Sequence, residues 1–214
     1  MEERITVEET MRMEDKQPFS GWWSSARQVV SPNCDARLGK EVSLLLIHAI
    51  SLPPGQFSGD AIEALFTNRL PVDEHPFFTE IAHLRVSAHL LIRRDGECVQ
   101  FVDTDHRAWH AGRSCWWDAD QAGWRTALND FSVGIELEGD DVTPYRKAQY
   151  SALVEATVWL MARYPEINSE RITSHARVAP LRKTDPGPAF DWAYFHQQLS
   201  RALHARRTSE HFTS

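Results

Sequence analysis

FSVGIELEG, residues 131–139, alternates strictly: Val133, Ile135 and Leu137 fall on one side, Gly134, Glu136 and Glu138 on the other. A period of two belongs to a strand, here with one apolar face and one face carrying two carboxylates. VSLLLIHAI, residues 42–50, is a short apolar run halted by the turn signal SLPPG; its length and flanks suggest a buried strand with His48 near its end. SAHLLIRRDGECVQFV, residues 87–102, holds two apolar runs around Asp95-Gly96, which reads as a hairpin.

Helices fall between and after these strands. GDAIEALFTNRL, residues 59–70, reads as a short helix closed by Pro71. Thr143 and Pro144 suit an N-cap and a first helical turn. Behind them Tyr150, Leu153, Val154, Thr157, Leu160, Met161 and Tyr164 trace an apolar face that Pro165 ends. RITSHARV, residues 171–178, suggests a brief strand, and AFDWAYFHQQLSRAL, residues 189–203, a last helix burying Trp192, Phe195, Leu199 and Leu203. Strands and helices mix without strict βαβ alternation. The fold class expected is α/β: one domain with a central mixed sheet flanked by helices.

The chain has 214 residues, 42% of them hydrophobic and 25% charged, enough for one sizeable core. A net charge of −7 argues against nucleic acid as the main partner, since phosphate binding needs a basic face. Cys34, Cys98 and Cys115 lie far apart without a CxxC, which suits free thiols in a reducing compartment. No export signal and no long apolar span is visible, so a cytoplasmic protein without membrane contact is expected. Residues 1–20 and 206–214 read as polar tails around a domain at 21–205; Met11 and Met13 inside the first tail are alternative starts. No protein partner can be inferred.

Three residues invite a metal reading. His48 closes a buried strand, His175 follows a short one, and Asp185 precedes the Pro-Gly-Pro of RKTDPGPAFDW, residues 182–192. Hydrolytic zinc takes three protein ligands from His, Asp, Glu or Cys and keeps one position for water. Taken singly, each is equally an ordinary buried imidazole or turn residue, and alternation does not choose between Glu136 and Glu138.

In order along the chain, LLLIHAISLPPGQF (44–57), HPFFTEIAHLRVSAHLLIRRDGECVQFV (75–102), RAWHAG (107–112), NDFSVGIELEG (129–139) and RKTDPGPAFDW (182–192) resemble the AmpD-type N-acetylmuramoyl-L-alanine amidases. The similarity spans roughly Trp22 to Leu199. The resemblance implies an amidase_2 fold, shared with peptidoglycan recognition proteins, and a zinc site in a cleft at the sheet edge. It implies His48, His175 and Asp185 as zinc ligands, Glu136 and Lys183 as catalytic groups, and Arg85 and Trp109 as residues facing a muropeptide substrate. The activity implied is cleavage of the amide between N-acetylmuramic acid, in its 1,6-anhydro form, and L-alanine during cytoplasmic peptidoglycan recycling. A non-catalytic muropeptide-binding module on the same fold is the alternative. His89 and His110, inside the matching motifs, read as structural groups or supports behind the ligands.

Three departures stand out. Ala49 replaces the usual Asn after the first His, SHARVAP (174–180) carries Arg177 where an acid is usual, and RSCWWDADQAGWRTAL (113–128) is a longer insert rich in tryptophan.

Overall fold

A computed structural model describes residues 21–39 and 41–211, with side chains to residue 208. The expected N-terminal tail lies outside the described residues. The elements in chain order are β1 (Arg27–Gln28), β2 (Cys34–Ala36), β3 (Leu44–Ile50), α1 (Ala61–Phe66), α2 (Pro76–Ile81), β4 (Leu90–Ile92), β5 (Cys98–Gln100), β6 (His106–Ala108), β7 (Trp116–Asp118), β8 (Gly123–Arg125), β9 (Ser132–Glu138), α3 (Lys147–Arg163), β10 (Ile172–Ser174), α4 (His175–Val178) and α5 (Trp192–His211).

Six strands form one mixed sheet in the order β1-β5-β4-β9-β3-β10. Only the β4–β5 hairpin is antiparallel; β4, β9, β3 and β10 run parallel. Their C-terminal ends therefore share one rim. The β3–β9 register sets His48 opposite Glu136, and Leu91 of β4 lies opposite Glu136 on the other side.

The pleat sorts the side chains. Leu45, Ile47, Leu90, Ile92, Val133, Ile135 and Leu137 face α3 and α5 and pack with Leu153, Leu160, Phe195 and Leu199. Each such burial stabilises by about 1.5–3 kcal/mol. On the other face Leu91 and Val99 meet Ile62, Phe66 and Phe78 of α1 and α2, while Leu44 and Leu46 meet Leu128, Phe131 and Val178. His48 and Glu136 share the parity of this second face, so α3 and α5 never cover them.

Several boundaries differ from the sequence reading. The helix expected from Thr143 starts at Lys147, because the Asp140 carboxylate accepts from the Thr143 N–H at 2.6 Å and folds that stretch into a turn. Gln149 accepts from the Arg146 N–H at 3.1 Å and closes the helix start instead. The strand expected at 171–178 stops at Ser174, and His175 begins the helical turn α4, capped by the Ser174 hydroxyl on the Arg177 N–H. The last helix starts where Asp191 Oδ1 accepts from the Tyr194 N–H, and it continues to His211. No helix among the described residues is long and apolar enough to cross a membrane.

Candidate active site

The rim of β3 and β10 brings together two imidazoles and a carboxylate. His48 Nδ1 lies 3.0 Å from His175 Nδ1 and 3.2 Å from Asp185 Oδ2, and His175 Nδ1 lies 3.1 Å from Asp185 Oδ2. His48 is fully buried and His175 nearly so. His175 enters because β10 pairs in parallel with β3, with Ser174 opposite Ile47, so the next residue falls beside His48. Asp185 enters by a fold-back: its carbonyl accepts from the Ala176 N–H at 2.9 Å, and the Tyr145 hydroxyl donates to the Pro186 carbonyl at 2.9 Å. Gly187 makes the turn at φ +78, where any Cβ would be driven into Asp141.

The donor set fits a cation. His175 Nε2 sits 3.1 Å from the Ala111 carbonyl, which can only accept, so Nε2 carries a proton and donates there, and Nδ1 is the ring atom turned toward His48 and Asp185. A carboxylate oxygen and imidazole nitrogens held about 3 Å apart repel unless positive charge lies between them. Ligands about 2.0–2.1 Å from one tetrahedral zinc lie roughly 3.3–3.4 Å from one another, close to the spacing here. Burial pushes the His48 imidazole down to about 4, despite the pull of Asp185, so the ring is neutral near pH 7.

The structure separates the two glutamates that alternation leaves equal. Glu138 is buried and satisfied: Oε1 accepts from the Ser58 N–H at 2.7 Å and Oε2 from the Arg94 N–H at 2.9 Å. Glu136 stands opposite His48 in the sheet, with Oε2 shielded from solvent and without a hydrogen-bond partner. Burial and the nearby Asp185 charge push its carboxyl well above the usual range, against the opposing pull of Lys183. Lys183 is half-buried on the same turn as Asp185, its N–H donating to the Ala179 carbonyl at 3.0 Å.

Arg85 and Trp109 lie outside this cluster. Exposed Arg85 donates from Nη1 to the Ala82 carbonyl at 3.2 Å. Trp109 is half-buried, with Nε1 donating to Asp35 at 3.2 Å, and it exchanges two hydrogen bonds with Ser87, which ties its segment to the one that carries Arg85. Half-buried Arg37 was not visible as a site residue in the sequence. It donates to the carbonyls of Asn129, Asp130 and Ser132 and so holds the loop entering β9. Nothing in the local sequence marks it, since these three acceptors lie more than ninety residues away.

The sequence description of the N-acetylmuramoyl-L-alanine amidases matches residues 38–188. The chain belongs to that family. A 1,6-anhydro-N-acetylmuramyl-L-alanine amidase, AmpD, of Enterobacter cloacae is 56% identical over 182 residues, covering 85% of this chain and 94% of the relative. The crystal structure of a selenomethionine AmpD derivative superposes with a TM-score of 0.78 at 53% identity, covering 83% of this chain and 96% of that one. The Escherichia coli amidase AmiD, solved with anhydro-N-acetylmuramic acid-L-Ala-D-γ-Glu-L-Lys, gives 0.53 at 28% identity, covering 79% and 59%.

Within this amidase the departures from the family pattern take definite places. Arg177 is exposed, and its backbone N–H is held by the Ser174 hydroxyl. Ala49 is half-buried against the helix side of the sheet, and it also lines an open cleft of about 430 Å³ with Ser51, Asp141, Lys183 and Asp185. The tryptophan insert is the hairpin β7–β8, in which Trp117 pairs with Trp124. Asp118 anchors it, buried and ion-paired to Arg171 at 2.8 Å and Arg125 at 3.1 Å. Trp116 packs on the cluster of Leu44, Leu46 and Val178, whereas Trp117 and Trp124 are 48% and 67% exposed. Trp116→Ala should therefore destabilise the amidase toward the lower end of the roughly 3–5 kcal/mol typical of Trp truncation. Trp117→Ala should stay within about 0.5 kcal/mol. Urea unfolding of the two variants checks this, and equal losses would contradict the division.

Proposed function

We propose that this amidase is a zinc hydrolase that cleaves the amide between N-acetylmuramic acid, in its 1,6-anhydro form, and the L-alanine of soluble muropeptides in cytoplasmic peptidoglycan recycling. The observation that carries the reading is the convergence of His48, His175 and Asp185 beside an unpartnered Glu136 carboxyl. Relatives named for that substrate, alike over most of their length, support the substrate class.

His48, His175 and Asp185 would hold the zinc, which supplies a Lewis acid and lowers the pKa of a bound water. Glu136 accepts the proton of the attacking water as its oxygen bonds to the lactyl carbonyl carbon. The same carboxyl then returns the proton to the alanyl nitrogen as the C–N bond breaks. Its raised proton affinity suits the second role, because a protonated carboxyl must be available when the amine leaves. Lys183 places an ammonium beside the carbonyl oxygen, where negative charge develops. Exposed Arg85 would form a bidentate pair with a stem-peptide carboxylate, and the Trp109 ring offers an apolar face to sugar or peptide. A non-catalytic binding module would have no use for a shielded, unpaired carboxyl next to three ligand groups.

Zinc-loaded protein incubated with 1,6-anhydro-muropeptide should release the anhydro-sugar and an L-alanyl peptide, identified by mass. Intact murein should be cleaved far more slowly. Absence of both products from both substrates would refute the reading.

A further inference from the structure

We propose that His110 and Ser132 form a proton-fixing relay that holds His48 in the tautomer with a bare Nδ1, a positioning role that rests on the reading of His48 as a zinc ligand. The chain of contacts has one open end. The Ser132 hydroxyl lies 2.6 Å from the Leu128 carbonyl. Two oxygens that close need a proton between them, and the carbonyl has none, so the hydroxyl donates. Its lone pairs then face His110 Nε2 at 3.3 Å, which must present N–H. A neutral His110 with its proton on Nε2 has a bare Nδ1. That atom lies 3.0 Å from His48 Nε2, which therefore carries the His48 proton. His48 Nδ1 is left as a lone pair aimed at the point where His175 Nδ1 and Asp185 Oδ2 also converge.

The same short segment sets both rings. His110 accepts from His48, and the next residue, Ala111, accepts from His175 Nε2 through its carbonyl at 3.1 Å. Asn129 Oδ1 holds this segment by accepting from the N–H groups of His110 and Ala111, at 3.2 and 2.8 Å. Gly134 makes room: a Cβ there would be driven into the His110 ring, so a side chain at this position of β9 would dislodge the relay. The alternation in FSVGIELEG thus has a second reason for glycine on the polar face. Partners behind a ligating imidazole fix its tautomer and orientation, and losing one costs about 10–100-fold in metal affinity.

Imidazole ¹⁵N NMR of the metal-free protein should show the His48 proton on Nε2, and zinc should leave it there. A proton on Nδ1 of His48 in the metal-free protein would overturn the relay. In zinc competition against a chelator, His110→Leu should bind about 10–100-fold more weakly. His110→Asn, whose amide oxygen can take the place of Nδ1, should recover most of that loss. Wild-type affinity in His110→Leu, or equal losses in both variants with matched falls in melting temperature, would also overturn it. Should His110→Leu fail to fold, Ser132→Ala decides: a mixture of His48 tautomers supports the relay and an unchanged spectrum refutes it. Wild-type protein that takes up no zinc would instead count against the metal reading, and the metal-free spectrum would still judge the relay on its own.

Discussion

Glu136→Gln should lower kcat by about 10²–10⁴-fold while zinc content and melting temperature stay near the wild type, the usual loss for a general base. Gln keeps the shape of the side chain but cannot take up a proton. The site pays little structurally, because Glu136 Oε2 has no hydrogen-bond partner to lose. Glu138→Gln should do the reverse. Its carboxylate satisfies two backbone donors, and an amide can accept from only one while turning N–H toward the other. An unsatisfied buried donor costs about 1–3 kcal/mol, so this variant should melt earlier with kcat little changed. Steady-state kinetics and thermal unfolding on the two variants give the pair of measurements. Equal kinetic losses would remove Glu136 from the role of base, and a stability loss confined to Glu136→Gln would show that the assignment of the two glutamates is inverted.

That contrast marks where the sequence stops speaking. Period two in residues 131–139 places Glu136 and Glu138 on one face, and the structure keeps them there. Which of them is spent on backbone N–H groups depends on Ser58 and Arg94, which arrive from other segments and leave no local trace. The sheet was legible because its central strands are long or closed by a tight turn, as at Asp95-Gly96. The pairs β2–β6 and β7–β8 were not, since three residues are too few for a period to show. The early start expected for α3 failed for a related reason. Thr143-Pro144 is a sound helix opening, but Asp140 bonds the Thr143 N–H first, a local competition between side chain and helix.

The proposed ligand triad stands differently again. His48, His175 and Asp185 are 127 and 10 residues apart, and only the parallel β3–β10 pairing and the fold-back of the 179–187 turn unite them. Nothing local to His48 distinguishes it from a satisfied core histidine, so resemblance to the amidases was needed to select it. The relay behind it shows the same limit. His110 and Ser132 are 22 residues apart, and their link to His48 exists only after β3 and β9 pair.

Removing a proposed zinc ligand should have the largest effect on this molecule, and it should show in stability as well as activity. Two imidazole nitrogens and a carboxylate oxygen sit 3.0–3.2 Å apart inside the rim of the sheet, a spacing that a shared cation relieves. A ligand that binds only the folded state adds about 2.7 kcal/mol at a hundred times its Kd. For a chain of this size about 1 kcal/mol moves Tm by roughly 2–4 °C, so zinc should raise it by roughly 5–10 °C. His48→Ala and Asp185→Ala each leave two donors, and both should lose that shift along with most bound zinc. Their fall in zinc affinity should exceed the roughly 10–100-fold expected for a supporting residue such as His110. Hydrolysis should fall with metal content in both variants, and a chelator should abolish it in the wild type until zinc is restored. Differential scanning calorimetry with and without zinc, beside elemental analysis, measures all of this. A zinc-dependent Tm shift that survives in both variants would place the metal elsewhere and leave Glu136 without a partner in the chemistry.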